Sequence, residues 1–307
     1  MFLKRSLLLA LVLALLALLA PVGAVHATTL IQIDFNDLPV GPNTLGSDNI
    51  AEDKSGNDRH MVALYGNRNT VTGPGGTTAS ELGGGKSFVF FPGFDTFNDS
   101  DKTANTTDIV LDKDKSYTIE IIATLPQDRF NYDEGPLVHK GEYNPGMGWD
   151  EWGIGTYNNG GSQPNTVEGS FIDVAKGNPA FLTGKVSVTD VQPLEEAWHH
   201  IALVRDRGAD RVALFIDGLE VAFKTGFDGT FDFSNTIGSD PFYGALTLGS
   251  RSNRASNRFY RGAIDFFKIS EGALTPNQFT LEDRIPEPAT VTLLGLGGMA
   301  VLRTRRR

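Results

Sequence analysis

The sequence predicts an all-β protein whose many strands close into a sandwich or barrel. Three observations predict it. In 307 residues there are 35 Gly, 15 Pro and 20 Phe, with 40% hydrophobic and 21% charged residues. That composition suits many strands joined by turns and speaks against coiled coils and helical bundles. Next, Tyr117, Ile119, Ile121, Ala123 and Leu125 alternate with Thr118, Glu120 and Thr124, the period-2 pattern of a strand with one buried face, broken only at Ile122. Finally, the stretch from Trp198 to Lys224 reads as three strands joined by two tight turns. Its second turn is Asp217-Gly218, a preferred pair for a two-residue hairpin because both positions take positive φ.

Taken in order, the chain opens with Lys4 and Arg5, an apolar run from Leu7 to Ala20, Pro21, and a small-residue exit at Val25, His26 and Ala27. This is the three-part layout of a secretory signal peptide, residues 1–27, and the run is too short to span a bilayer comfortably at about 20 residues. Residues 28–283 read as one strand-rich domain. Strand candidates are Leu30 to Phe35, Ser87 to Phe91, Ser116 to Leu125, Gly135 to His139, Trp152 to Tyr157, Glu168 to Val174 and Gly184 to Val188. They continue with Trp198 to Arg205, Arg211 to Ile216, Leu219 to Lys224, Ala245 to Gly249 and Phe259 to Ile269. More than ten strands with little helix must close into a sandwich or barrel to bury their faces. The sole helical hint is Leu274 to Leu281, where Thr275 suits a cap and Pro276 a first turn.

The tail, residues 284–307, carries Pro286, Glu287 and Pro288, an apolar stretch from Ala289 to Leu302, then Arg303, Arg305, Arg306 and Arg307. Two prolines around a glutamate mark a hinge, and the arginines favour the cytoplasmic side of a short membrane segment. The combination closely resembles the PEP-CTERM sorting signal. That resemblance implies cleavage near Pro286 to Pro288 by an exosortase, transient residence in the inner membrane, and export to the cell surface or extracellular matrix of a Gram-negative bacterium.

Three segments of the middle resemble the laminin G-like, concanavalin A-like jelly-roll domains. They are Ser116 to Leu125, then Glu196-Ala197-Trp198-His199-His200-Ile201-Ala202-Leu203-Val204 running on to Phe215-Ile216-Asp217-Gly218, and Gly262-Ala263-Ile264-Asp265-Phe266-Phe267-Lys268-Ile269. The likeness implies a two-sheet antiparallel jelly-roll sandwich and, as in many members, binding of carbohydrate or protein with calcium.

Two of the 27 basic residues lie in the leader and five in the tail, against one of 37 acids, so the trimmed domain carries 20 basic and 36 acidic groups, a net charge of about −16. Nucleic acid is not expected as a partner, since that affinity comes from clustered Lys and Arg. Such a surface repels anionic polymers unless cations bridge the two. No cysteine is present, so there are no disulfides, and core size must carry stability.

No catalytic motif is found. A run of acids at alternate strand positions, as in laminarinase-type relatives, is absent; Asp112 with Asp114 and Asp99 with Asp101 sit in turn-like surroundings, and Asp150 with Glu151 are adjacent. There is no nucleophile elbow and no Cys/His zinc spacing. His199 and His200 are neighbours and point to opposite faces of a strand, where structural roles are expected. Calcium is the candidate cofactor, because Asp53-Lys54-Ser55-Gly56-Asn57-Asp58 is an acidic turn able to offer oxygens. Relatives of this class often tie first strand to last with a metal, so Asp34, Asp53, Asn57 and Asp265 are the candidate ligands, with an Asx turn the competing reading. Tyr143, Trp149 and Trp152 are candidate sugar platforms, since flat aromatic faces pack on sugar C–H surfaces. The expectation is a non-catalytic binding module for extracellular polysaccharide. Its alternatives are a glycoside hydrolase or polysaccharide lyase with an unrecognised acidic cleft, and a structural matrix protein that binds proteins.

Overall fold

The computed structural model describes residues 27–35, 41–43, 50–57, 59, 61–63, 68–72, 78–81, 88–90, 111–112, 114–125, 135–140, 152–157, 166–171, 186–188, 198–226, 246–249, 260 and 262–280. The signal-peptide and sorting-segment readings, with Pro286, Glu287 and Pro288, lie outside them, as do Tyr143 and Trp149.

The strands are β1 (Thr28–Asp34), β2 (Gly41–Asn43), β3 (Ile50–Ala51), β4 (Met61–Ala63), β5 (Arg68–Thr72), β6 (Thr78–Glu81), β7 (Phe88–Phe90), β8 (Tyr117–Thr124) and β9 (Gly135–Lys140). They continue as β10 (Trp152–Tyr157), β11 (Thr166–Phe171), β12 (Val186–Val188), β13 (Trp198–Asp206), β14 (Arg211–Ile216), β15 (Leu219–Thr225), β16 (Leu246–Leu248) and β17 (Ala263–Glu271). A nine-stranded sheet runs β15-β14-β13-β8-β17-β6-β5-β2, with β1 also paired to β17. An eight-stranded sheet runs β12-β11-β10-β9-β16-β7-β4-β3. Every described strand pairing is antiparallel.

Alternation decides what lies between the sheets. Tyr117, Ile119, Ile121, Ala123 and Leu125 from β8 and its exit meet Ile201 and Leu203 of β13, Val212 and Leu214 of β14, and Ile264, Phe267 and Ile269 of β17 in one buried cluster. The eight-stranded sheet contributes Val138, Trp152, Ile154, Val167, Phe171, Leu246 and Leu248 to the same cluster. Burying each such side chain stabilises by about 1.5–3 kcal/mol, which lets a chain without disulfides hold together. The sheets approach closely at Gly169, where a Cβ would stand 2.5 Å from Leu203 Cδ1.

The β14–β15 hairpin turns at Asp217 (φ 50°) and Gly218 (φ 76°), as the sequence predicts for that pair. Of the helix expected over Leu274 to Leu281, the described residues 274–280 are not α-helical. Only a single 3-10 turn, Pro276–Gln278, is present, and Phe279 after it is extended at φ −68°, ψ 155°. The cause is tertiary: the Thr280 N–H, which a helix would direct to the carbonyl four residues back, donates instead to the Glu120 carboxylate at 2.7 Å.

Candidate functional site

The acidic turn predicted at Asp53 is an Asx turn that stitches the chain to β1. Asp53 is 8% exposed. Its Oδ1 accepts from Gln32 N at 2.8 Å and Ser55 N at 2.9 Å, and its Oδ2 from Ser55 Oγ at 2.7 Å and Arg59 N at 3.0 Å. Burial alone would raise this carboxyl, but those donors together hold it below the ordinary aspartate range. Asn57 is in the same turn and donates through Nδ2 to the Thr29 and Leu30 carbonyls at 3.0 and 3.1 Å. Asp34 is on β1 opposite Phe266, and Asp265 is fully buried at a bulge in β17.

This arrangement does not fit a calcium ion held by Asp53. A carboxylate offers about four lone-pair directions, and four protein donors occupy them. Among the described residues no group of three or more His, Asp or Glu is placed to hold a metal. Asp53→Ala is expected to cost about 1–3 kcal/mol by stranding the Gln32 and Arg59 N–H groups. Thermal scans of both proteins check this.

Trp152 corrects an expectation. It is 0% exposed and belongs to the core cluster, because β10 turns Trp152 and Ile154 inward together. A ring with no accessible face cannot stack on sugar.

The outward face of β10 is different. Register places Thr247, His139, Gly153 and Ser170 in one row across β16, β9, β10 and β11, with Gly155 opposite Glu168 in the next. His139 is 3% exposed, Thr247 0% and Ser170 9%, while Gly155 and Glu168 are half-buried. Thr247 Oγ1 donates to the His139 carbonyl at 3.3 Å. Buried polar groups beside two glycines make a polar floor on this sheet. Sequence inspection passed over it, although the Gly153 and Gly155 alternation with Trp152 and Ile154 was its signal.

The outward face of the nine-stranded sheet is sealed over β8 and β13. Here Glu120, Ile122 and His200 are 0% exposed. Segment Gly272–Thr280 lies over them, and Leu274 and Phe279 pack with Ala202, Val204, Ala213 and Phe215. The Phe279 ring stands 5.3 Å from both the His200 and Phe215 rings, edge-on to the latter. The His200 Nε2–H donates to Glu120 Oε2 at 3.1 Å, Lys268 Nζ lies 3.5 Å from Oε1, and Thr280 N donates to Oε2 at 2.7 Å. Burial pushes Glu120 up, yet the His200 ring, the Lys268 ammonium and the Thr280 N–H hold it below the usual glutamate range.

His199 faces inward beside Ile201, and its Nδ1 meets Asp217 Oδ2 at 2.7 Å. Asp217 Oδ1 accepts from His200 N at 2.9 Å, and Asp217 N donates to the His200 carbonyl at 2.8 Å. The Trp198-His199-His200 segment and the Asp217-Gly218 turn thus form one structural lock at the hairpin base, as the structural reading of these histidines anticipates. Deeper in the same strand Arg205 is buried, and that burial, with Arg207 nearby, pulls its guanidinium down to about 10.

Two antiparallel sheets with this order define a β-sandwich of the lectin and glucanase kind. The chain belongs to the concanavalin A-like lectin/glucanases superfamily, whose laminin G-like model matches residues 98–279. Residues 284–307 match the PEP-CTERM protein-sorting motif, so this is an exported protein sorted to the cell envelope, and the motif implies processing by an exosortase. No curated protein matches the chain. Among solved structures it is similar to domain 4 of AbnA, a GH43 extracellular arabinanase from Geobacillus stearothermophilus, in complex with arabinotriose. The two are 17% identical at a TM-score of 0.51, over 82% of this chain and 96% of that one. It is also similar to the binding domain of botulinum neurotoxin serotype D, at 13% identity and a TM-score of 0.50, over 81% of this chain and 50% of that one. These likenesses show the fold.

Proposed function

We propose that this protein is a non-catalytic module that binds a neutral polysaccharide at the cell surface or in the extracellular matrix of a Gram-negative bacterium. Its site is the half-buried edge of the polar floor of the eight-stranded sheet, at Gly155 and Glu168. The reading is carried by Glu168 and Gly155, which stand opposite each other and half-buried, so within reach of a ligand, beside the buried His139, Thr247 and Ser170. The half-buried Glu168 carboxylate beside bare glycine backbone suits the hydroxyls of a sugar. A trimmed-domain charge of about −16 disfavours anionic polymers. The similar arabinanase domain holds a neutral oligosaccharide, arabinotriose, which supports the same ligand class. In support of a non-catalytic role, Glu120 is fully engaged by His200, Lys268 and Thr280 on the sealed face.

A glycan array probed with the exported protein tests this, with and without calcium. Binding to one or more neutral glycans is expected, and silence across all of them, or release of reducing ends, overturns it. Glu168→Ala is expected to weaken the bound glycan by about tenfold or more, the worth of one hydrogen bond to a charged group. Titration calorimetry against the best array ligand reads it.

A further inference from the structure

The strap Gly272–Thr280 ends four residues before the sorting motif begins at 284. Two outward residues of β8 fasten it. Thr118 Oγ1 donates to the Gly272 carbonyl at 2.8 Å and accepts from Leu274 N at 2.9 Å, holding the near end. Glu120, two residues along, holds the far end through the Thr280 N–H. Its carboxylate also gathers His200 from β13 and Lys268 from β17, and Lys268 Nζ donates to Thr280 Oγ1 at 3.3 Å. A buried charge network is a poor route to stability alone, because apolar side chains of similar volume do as well or better. What it gives is a directional fastening at one point, the last residues before the chain runs on to the tail.

That point bounds the tether. From Thr280 to Pro286 is six peptide steps, about 20 Å fully extended. With the strap docked, the Pro286-Glu287-Pro288 hinge can stand no farther than that from the outer face of the nine-stranded sheet. Freeing the strap back to Gly272 adds eight steps, about 28 Å more. An enzyme acting at a membrane must fit between the bilayer and the folded domain to reach the hinge.

We propose that the Glu120 clasp is a tether-length control: the docked strap holds the folded domain close over the sorting motif and slows its cleavage, and release of the strap from Thr280 backwards admits the processing enzyme. This rests on the exosortase processing that the motif implies, and is independent of the glycan site.

The test follows shortening of the full-length chain by pulse–chase in its native host, with hydrogen exchange on the purified protein. Three variants separate the causes. Glu120→Gln weakens the clasp. Thr280→Pro removes the donated N–H while leaving Glu120 with His200 and Lys268, and Phe279 already has the extended backbone that a following proline requires. An eight-residue Gly/Ser insertion after residue 283 lengthens the tether with the clasp intact. All three are expected to shorten at least threefold faster than the native chain. Exchange over 272–280 should rise at least tenfold in the first two alone, with β8 and β13 still protected.

Native-rate shortening of the insertion variant overturns the proposal, as does a loosened strap in Thr280→Pro with unchanged shortening. Strap and sheets opening together in both clasp variants also overturns it, since the strap would then not be separable from the fold. A native chain that is never shortened removes the processing reading itself, and the inference with it.

Discussion

Glu120→Ala is expected to destabilise the protein by about 3–5 kcal/mol, the usual consequence of removing one partner from a buried ionic group. The loss has three parts in the structure. The His200 ring N–H and the Lys268 ammonium lose their acceptor, the Thr280 N–H is left under the strap, and a cavity opens beneath Phe279. For a domain of this size that is a fall of about 10 °C in melting temperature, read by calorimetry on native and variant proteins. The same carboxylate predicts how stability follows pH. Its folded value is held below the unfolded one, so its contribution is fully present above the ordinary glutamate value of about 4.3 and is lost as pH falls through the folded value. Asp53, held low by its four donors, adds a contribution of the same sign just below. Denaturant midpoints should therefore drop steeply below about pH 4, and the drop should be shallower in Glu120→Ala.

Trp152→Ala is expected to cost about 3–5 kcal/mol, since the largest fully buried side chain among the described residues leaves a void between the sheets. Trp152→Phe should cost far less, about 1–2 kcal/mol. The Trp152 Nε1 is buried with no hydrogen-bond partner among the described residues, so its removal relieves an unmet donor while most of the apolar volume stays. Urea titrations give both values. Glycan affinity per folded molecule should be unchanged in Trp152→Phe, because that ring is sealed from solvent on both faces; a tenfold loss would put the indole back in the site.

The parts of the fold that could be read from sequence are those where local pattern and tertiary placement agree. The inward alternation of β8, the β13–β14–β15 meander and the Asp217-Gly218 turn are all present where predicted. Strands Gly41–Asn43, Ile50–Ala51, Met61–Ala63, Arg68–Thr72 and Thr78–Glu81 were not recognised. They run two to five residues, too short for a period to show, and several carry polar or turn-forming side chains. The outward side of β8 misled for another reason. Thr118, Glu120 and Ile122 read as a solvent face with one stray isoleucine, but a segment some 150 residues later covers them, and Ile122 is the clue that something does. The Asp53 turn was legible as an acidic turn; that its oxygens serve Gln32 and Arg59 depends on the docking of β1, which no local pattern carries. The polar floor escaped because each of its side chains comes from a different strand, and only register brings them into line.

β1 and β17 lie side by side, Thr28 opposite Glu271, and β17 in turn is zipped to β8. The central ladder of the larger sheet therefore joins the first strand to the last. Such a closure pairs residues far apart in the sequence, and the entropy of closing so long a loop delays it until the rest is in place. A polypeptide threaded outward amino end first would emerge with β1 unmatched, staying pliable through transit and becoming rigid only once β17 had crossed.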